Sequence, residues 1–168
     1  MRHFIFTSIM ILTFFSSCKS DENENDCYPE MIISNWVSEK EIIVEFDTQF
    51  KRNNYNIING NKILFKYNLN GAQCDNIIDD EWGENLIFQI ENNNTDFEFI
   101  DNEILSTNCF YQQYGAWVAH NKYEVKNGII KGEKISKTEW EITVNIETTP
   151  IFENEPSKNI IFTEIFKE

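Results

Sequence analysis

Apolar residues recur along this chain at every second position, the period of strands that bury one face and leave the other in water. Ile42, Val44 and Phe46 alternate with Glu41, Glu45 and Asp47. Ile63, Phe65, Tyr67 and Leu69 alternate with Lys62, Lys66 and Asn68, and Leu86, Phe88 and Ile90 with Asn85, Gln89 and Glu91. The longest run sets Trp140, Ile142, Val144 and Ile146 against Glu139, Glu141, Thr143, Asn145 and Glu147, and Ile160, Phe162 and Phe166 end the chain in similar style. Turn formers separate these runs: Asn59-Gly60-Asn61, Asn70-Gly71, Asn92-Asn93-Asn94 and Asn127-Gly128. Asn-Gly supplies the positive φ of tight hairpins, so a hairpin is expected at Asn127-Gly128, with a second turn at Ser136-Lys137-Thr138 leading into the Trp140 strand. Residues 47–61 are polar and unpatterned and read as a long excursion between strands. Only residues 76–86 admit a helical window.

About eight to ten strands with frequent turns predict an all-β fold. The reading taken is an antiparallel β-sandwich, because bulky Phe, Ile and Trp side chains point inward and fill the interior. A lipocalin-like β-barrel, able to hold a small apolar ligand, is the alternative. No internal repeat or second domain is visible, so residues 27–168 are read as one domain.

The front of the chain follows a different rule. Met1-Arg2-His3 precedes an apolar run, residues 4–15, which ends in Ser16-Ser17-Cys18 and an acidic stretch, Asp21 to Asp26. A basic start, a short apolar middle and small residues make a secretory leader, too short to span a bilayer as a helix of about 20 residues. The small-small-Cys ending resembles the lipobox of bacterial lipoproteins, with Phe15 where that family usually carries Leu. The resemblance implies removal of residues 1–17 and acylation of Cys18. Lys19-Ser20-Asp21-Glu22 is similar to the export signal of surface lipoproteins in Bacteroidota, which implies an outer-membrane, cell-surface placement; a periplasm-facing or secreted protein is the alternative. Residues 18–26, too polar to fold, form a tether that reaches about 30 Å when stretched.

Charge narrows the partners. The net charge is −14, and loss of Arg2 with the leader makes it one unit more negative. Such a surface repels phosphate backbones and no basic stripe offsets it, which excludes nucleic acid. Attachment to a membrane therefore rests on lipid. Beyond Cys18 three cysteines remain, and an oxidising compartment lets two of them pair. Cys74–Cys109 is the pairing taken, with Cys27 left loose beside the tether.

Catalytic signatures are weak. His120 lies eleven positions after Cys109 without a cysteine-protease pattern, and no Gly-x-Ser-x-Gly elbow or phosphate loop is present. Asp75 and the cluster Asp79-Asp80-Glu81-Trp82-Gly83-Glu84 offer Asp79, Asp80 and Glu84 as calcium ligands, although the spacing is not that of an EF-hand. The stretch Phe110-Tyr111-Gln112-Gln113-Tyr114-Gly115-Ala116-Trp117 interleaves aromatics and amides without clean alternation. Tyr111, Tyr114 and Trp117 are its candidate binding residues, since Tyr and Trp give rigid contact area with a polar tip. The resulting expectation is a non-enzymatic binding module whose partner is a glycan or another envelope protein. An envelope hydrolase using paired carboxylates and a carrier of a small apolar ligand are the alternatives.

Overall fold

The computed structural model describes residues 27–50, 52–75, 77–93, 95–116, 122–150 and 156–168. Its strands are β1 (Cys27–Tyr28), β2 (Met31–Asp47), β3 (Arg52–Asn59), β4 (Lys62–Asn70), β5 (Gln73–Cys74) and β6 (Trp82–Glu91). There follow β7 (Phe97–Ile100), a 3-10 helix (Asp101–Thr107), β8 (Phe110–Gly115), β9 (Lys122–Lys134), β10 (Glu139–Thr148) and β11 (Asn159–Lys167). The all-β reading holds.

The main sheet closes on itself. Its hydrogen-bonded order is β10-β11-β2-β4-β6-β8-β9, and β9 pairs back onto β10. Neighbours around this ring are antiparallel except β2 and β11, which run parallel and share the single pair Lys167↔Asn35. An odd number of up-and-down strands forces this, because the first and last strands then point the same way. The strand path is thus that of a barrel, while the interior is packed with side chains as reasoned for a sandwich. Phe65 lies at its centre, stacked on Phe88 at 4.9 Å and edge-on to Trp140 and Phe166 at 5.7 Å each. Ile63, Leu86, Ile130, Ile142 and Val144 complete the buried layer around it. Such offset and edge-on ring pairs each add about 0.5–1.5 kcal/mol beyond area burial.

Residues 47–61 depart from the expected excursion. β3 and β4 follow one another along β2 in one antiparallel run, from Asp47↔Arg52 to Met31↔Asn70, broken by bulges around Glu39 and Gly60. The polar β3 sequence forms a strand because its amides find partners: Asn54 donates to Asp47 and Asn56 to Glu45. Beyond the bulges the β2–β3 hairpin is an arm laid across the outside of the barrel. Ile42 packs there with Leu64, Ile87 and Phe110, a second apolar cluster separate from the interior. The Ile42 N–H donates to the buried Oε1 of Gln89, and Asn108 Nδ2 donates to the Ile42 carbonyl.

Asn127-Gly128 is also not a hairpin. β9 runs straight through it, with a register shift against β10 between Glu147 and Thr148. Gly128 has φ 122° and its backbone lies so close to Asn145 that a Cβ would collide with that carbonyl. The extra residue of the bulge is Lys126, just before the dipeptide, while Asn127 and Gly128 stay in register opposite Glu147 and Ile146. At this bulge β9 changes neighbours, from β8 to β7, and the 3-10 helix fills the gap between them. Asp101 accepts the Gly128 N–H at 3.0 Å, and Ile104 of the helix is fully buried in the core. The expected turn at residues 136–138 is present, closed by the Ile135 N–H on the Glu139 carbonyl.

Candidate functional site

The aromatic stretch singled out by its composition divides between the two faces of the barrel wall. Tyr111, 2% exposed, points inward beside Tyr123, their ring centres 5.5 Å apart. This corrects its candidacy as a contact residue, since its ring has no free face to offer. Tyr114 lies on the outside, its ring across Gly83 where a Cβ would collide with it, and its hydroxyl 2.6 Å from Asn70 Oδ1. Trp117, His120 and Cys18 lie outside the described residues.

Inward of the same rim is a polar layer. Gln113 Nε2 donates to Glu84 Oε1 at 2.9 Å, and Lys158 Nζ donates to Gln113 Oε1, linking β6, β8 and the start of β11. Burial, then the adjacent Glu84 carboxylate, raises the pKa of the Tyr111 hydroxyl. Burial, then Glu164, Glu84 and Glu30, raises that of Tyr67 to about 12. The Tyr67 ring stacks on Phe162 at 4.1 Å. These groups are occupied with one another and hold the rim together.

The cysteines pair differently from the expectation. Cys74 is bonded to Cys27, and Cys109 is a buried free thiol, its pKa raised by that burial. The reason is local: β1 and β5 pair with Cys27 directly opposite Cys74, while Cys109 follows the 3-10 helix into the interior cluster. The candidate calcium ligands are likewise put to other uses. Asp80 Oδ2 accepts the Cys74 N–H at 2.7 Å, Glu84 belongs to the polar layer, and Asp79 occupies a left-handed turn at φ 67°. Among the described residues no group of three or more His, Cys, Asp or Glu side chains is placed to hold a metal ion.

A surface the sequence did not mark lies at the other end of the barrel. Pairing at Met31↔Asn70↔Gly83 puts one rim beside the Cys27–Cys74 bridge, and pairing at Lys40↔Lys62↔Glu91 defines the far rim. Across that far rim three depressions of about 530, 290 and 530 Å³ join through shared residues: Ser38 and Asn92 between the first two, Lys134 and Lys137 between the last two. Amides and hydroxyls, among them Asn59, Asn61, Asn92 and Ser136, share the lining with as many charged side chains, three lysines and the carboxylates of Glu39, Asp96 and Glu168. Trp36 forms part of the middle wall, held by its indole N–H on the Thr138 carbonyl at 3.1 Å. The Lys134 ammonium lies 5.8 Å from the centre of that ring and 5.2 Å from the Trp140 ring. In the sequence Asn92-Asn93-Asn94 read only as a turn, and nothing tied it to Lys134 or Ser38 before the strands were in register.

No protein-family model, curated protein or solved structure matches the chain.

Proposed function

We propose that the protein is a lipid-anchored envelope lipoprotein that works by binding, with the far-rim groove as its site and a glycan strand as the chemistry that fits it. The observation that carries this reading is the groove's position and lining. It runs across the end of the barrel opposite Cys27, where the tether joins, so an anchored molecule would present it away from the membrane. A saccharide offers many hydroxyls, each both donor and acceptor, and a row of amides, hydroxyls, ammonium groups and carboxylates answers that chemistry. The interior, filled by the rings around Phe65, supports a surface site over a carrier of apolar cargo.

Two measurements test the two halves. Cys18→Ala is expected to abolish palmitate labelling and move the protein into the aqueous phase of a detergent partition; unchanged labelling would remove the anchor. On an array of envelope and host glycans, the domain spanning residues 27–168 is expected to retain a subset of saccharides. Asn92→Ala and Lys134→Ala should weaken that retention about tenfold, the loss of roughly 1.4 kcal/mol, with Tyr114→Phe as the unaffected control. Retention of no saccharide, or retention indifferent to Asn92, would overturn the site.

A further inference from the structure

The arm does not lie flush along its whole length. Ile42 is sealed against the barrel, but Val44 is 38% exposed and Phe46, on the same face, 63%. Past Ile42 a cleft of about 210 Å³ opens between arm and wall. Val44, Leu105, Phe110 and Val125 form its apolar sides, and Leu105, on the 3-10 helix, stands at its lip with 53% of its surface in solvent. Asn53 of the arm and Glu124 of β9 close one side, the Asn53 amide donating to Glu124 Oε1. Glu124 is the one charged side chain among the described residues that line the cleft.

We propose that this cleft is a second binding site, for a small amphiphile with a single ring or short branched chain and a cationic, N–H-bearing end. The size sets the body. An apolar cavity of about 150 Å³ takes a benzene molecule, and drug-sized ligands need about 300–1,000 Å³, so this space suits one ring and little more. The lining sets the orientation. An apolar body lies between Val44, Leu105 and Phe110, and its ammonium group meets Glu124. A carboxylate has about four lone-pair sites, so the Asn53 amide leaves it room to accept another donor. A charge-assisted bond of that kind is roughly twice as strong as a neutral one. The arm is fixed at Ile42 by Gln89 and Asn108, so Val44 and Asn53 can shift to admit a guest without loss of the arm's anchorage.

The test is a methyl-NMR titration of the domain spanning residues 27–168 with benzylamine, and with toluene and benzoate for comparison. Benzylamine is expected to give saturable shifts of the Val44, Leu105 and Val125 methyls, with toluene weaker and benzoate weakest. Glu124→Gln should cost at least about tenfold in benzylamine affinity, while Asn53→Ala, which removes the same internal bond but keeps the carboxylate, should retain it. Leu105→Trp, which fills the lip, should abolish the shifts with its backbone spectrum otherwise native; Val44→Trp serves if that variant does not fold. Absence of saturable shifts at millimolar benzylamine, shifts that survive both filling variants, or equal affinity for Glu124→Gln would each overturn the proposal. Glycan retention at the far rim is measured separately, and neither result decides the other.

Discussion

Residues 110 and 111 show why this strand resisted a two-face reading. Phe110 and Tyr111 point to opposite sides of the wall, yet both are buried, Tyr111 by the interior and Phe110 by Tyr55 and Ile42 of the arm. Consecutive burial erases the alternation that marks a half-exposed strand, and the same holds for Leu86 to Ile90, where Gln89 is buried among apolar neighbours. Tyr67 gives the residue scale a measurable signature. Its hydroxyl is held protonated to about pH 12 in the folded protein, against an ordinary value of 10.0. Below pH 10 both folded and unfolded chains carry the proton, so its contribution is fully present. Between about 10 and 12 the unfolded chain releases it and the folded chain keeps it, so stability falls as pH rises. Chemical denaturation at stepped pH should show that decline, and Tyr67→Phe should make it shallower by one proton.

At the scale of elements, the strands of cleanest alternation, β4 and β10, were legible because one face of each meets the core and the other is largely polar. The arm was not legible, because its stability comes from a partner surface and not from its own pattern. Nor was the straight passage of β9 through Asn127-Gly128, with its bulge at Lys126, since a dipeptide that favours positive φ does not say whether the chain turns back or carries on. Gln89 fixes the arm to the barrel, so Gln89→Ala should leave the Ile42 N–H buried without a partner and cost about 1–3 kcal/mol in urea denaturation. Faster amide exchange confined to residues 40–59 would accompany it. The Cys27–Cys74 bridge joins two-residue strands across a separation of 47 residues. Its reduction should lower stability by roughly 2–4 kcal/mol, chiefly by freeing the unfolded chain. The near-ultraviolet signal of the Trp140 environment should survive, because that indole lies in the interior cluster and not at the bridge.

For the whole molecule, the all-β class was readable from period and turn spacing, while ring closure was not, because no local pattern records which strand the last one meets. The candidate groove was hidden for the same reason: Ser38, Asn92 and Lys134 come together only when β2, β6 and β9 share a rim. The parallel contact of β2 with β11 is the thinnest link in the ring, one pair against nine between β10 and β11. Loop-closure entropy must be spent before this long-range contact gives anything back, so it should form last in folding and open first in the native state. Hydrogen exchange should find the seam-side amides of residues 160–166 less protected than those of β4 and β6; equal protection would contradict this. A ring that unlatches at one place behaves as a clasp, and a newly made chain lies open as a curved ribbon until its final strand snaps home.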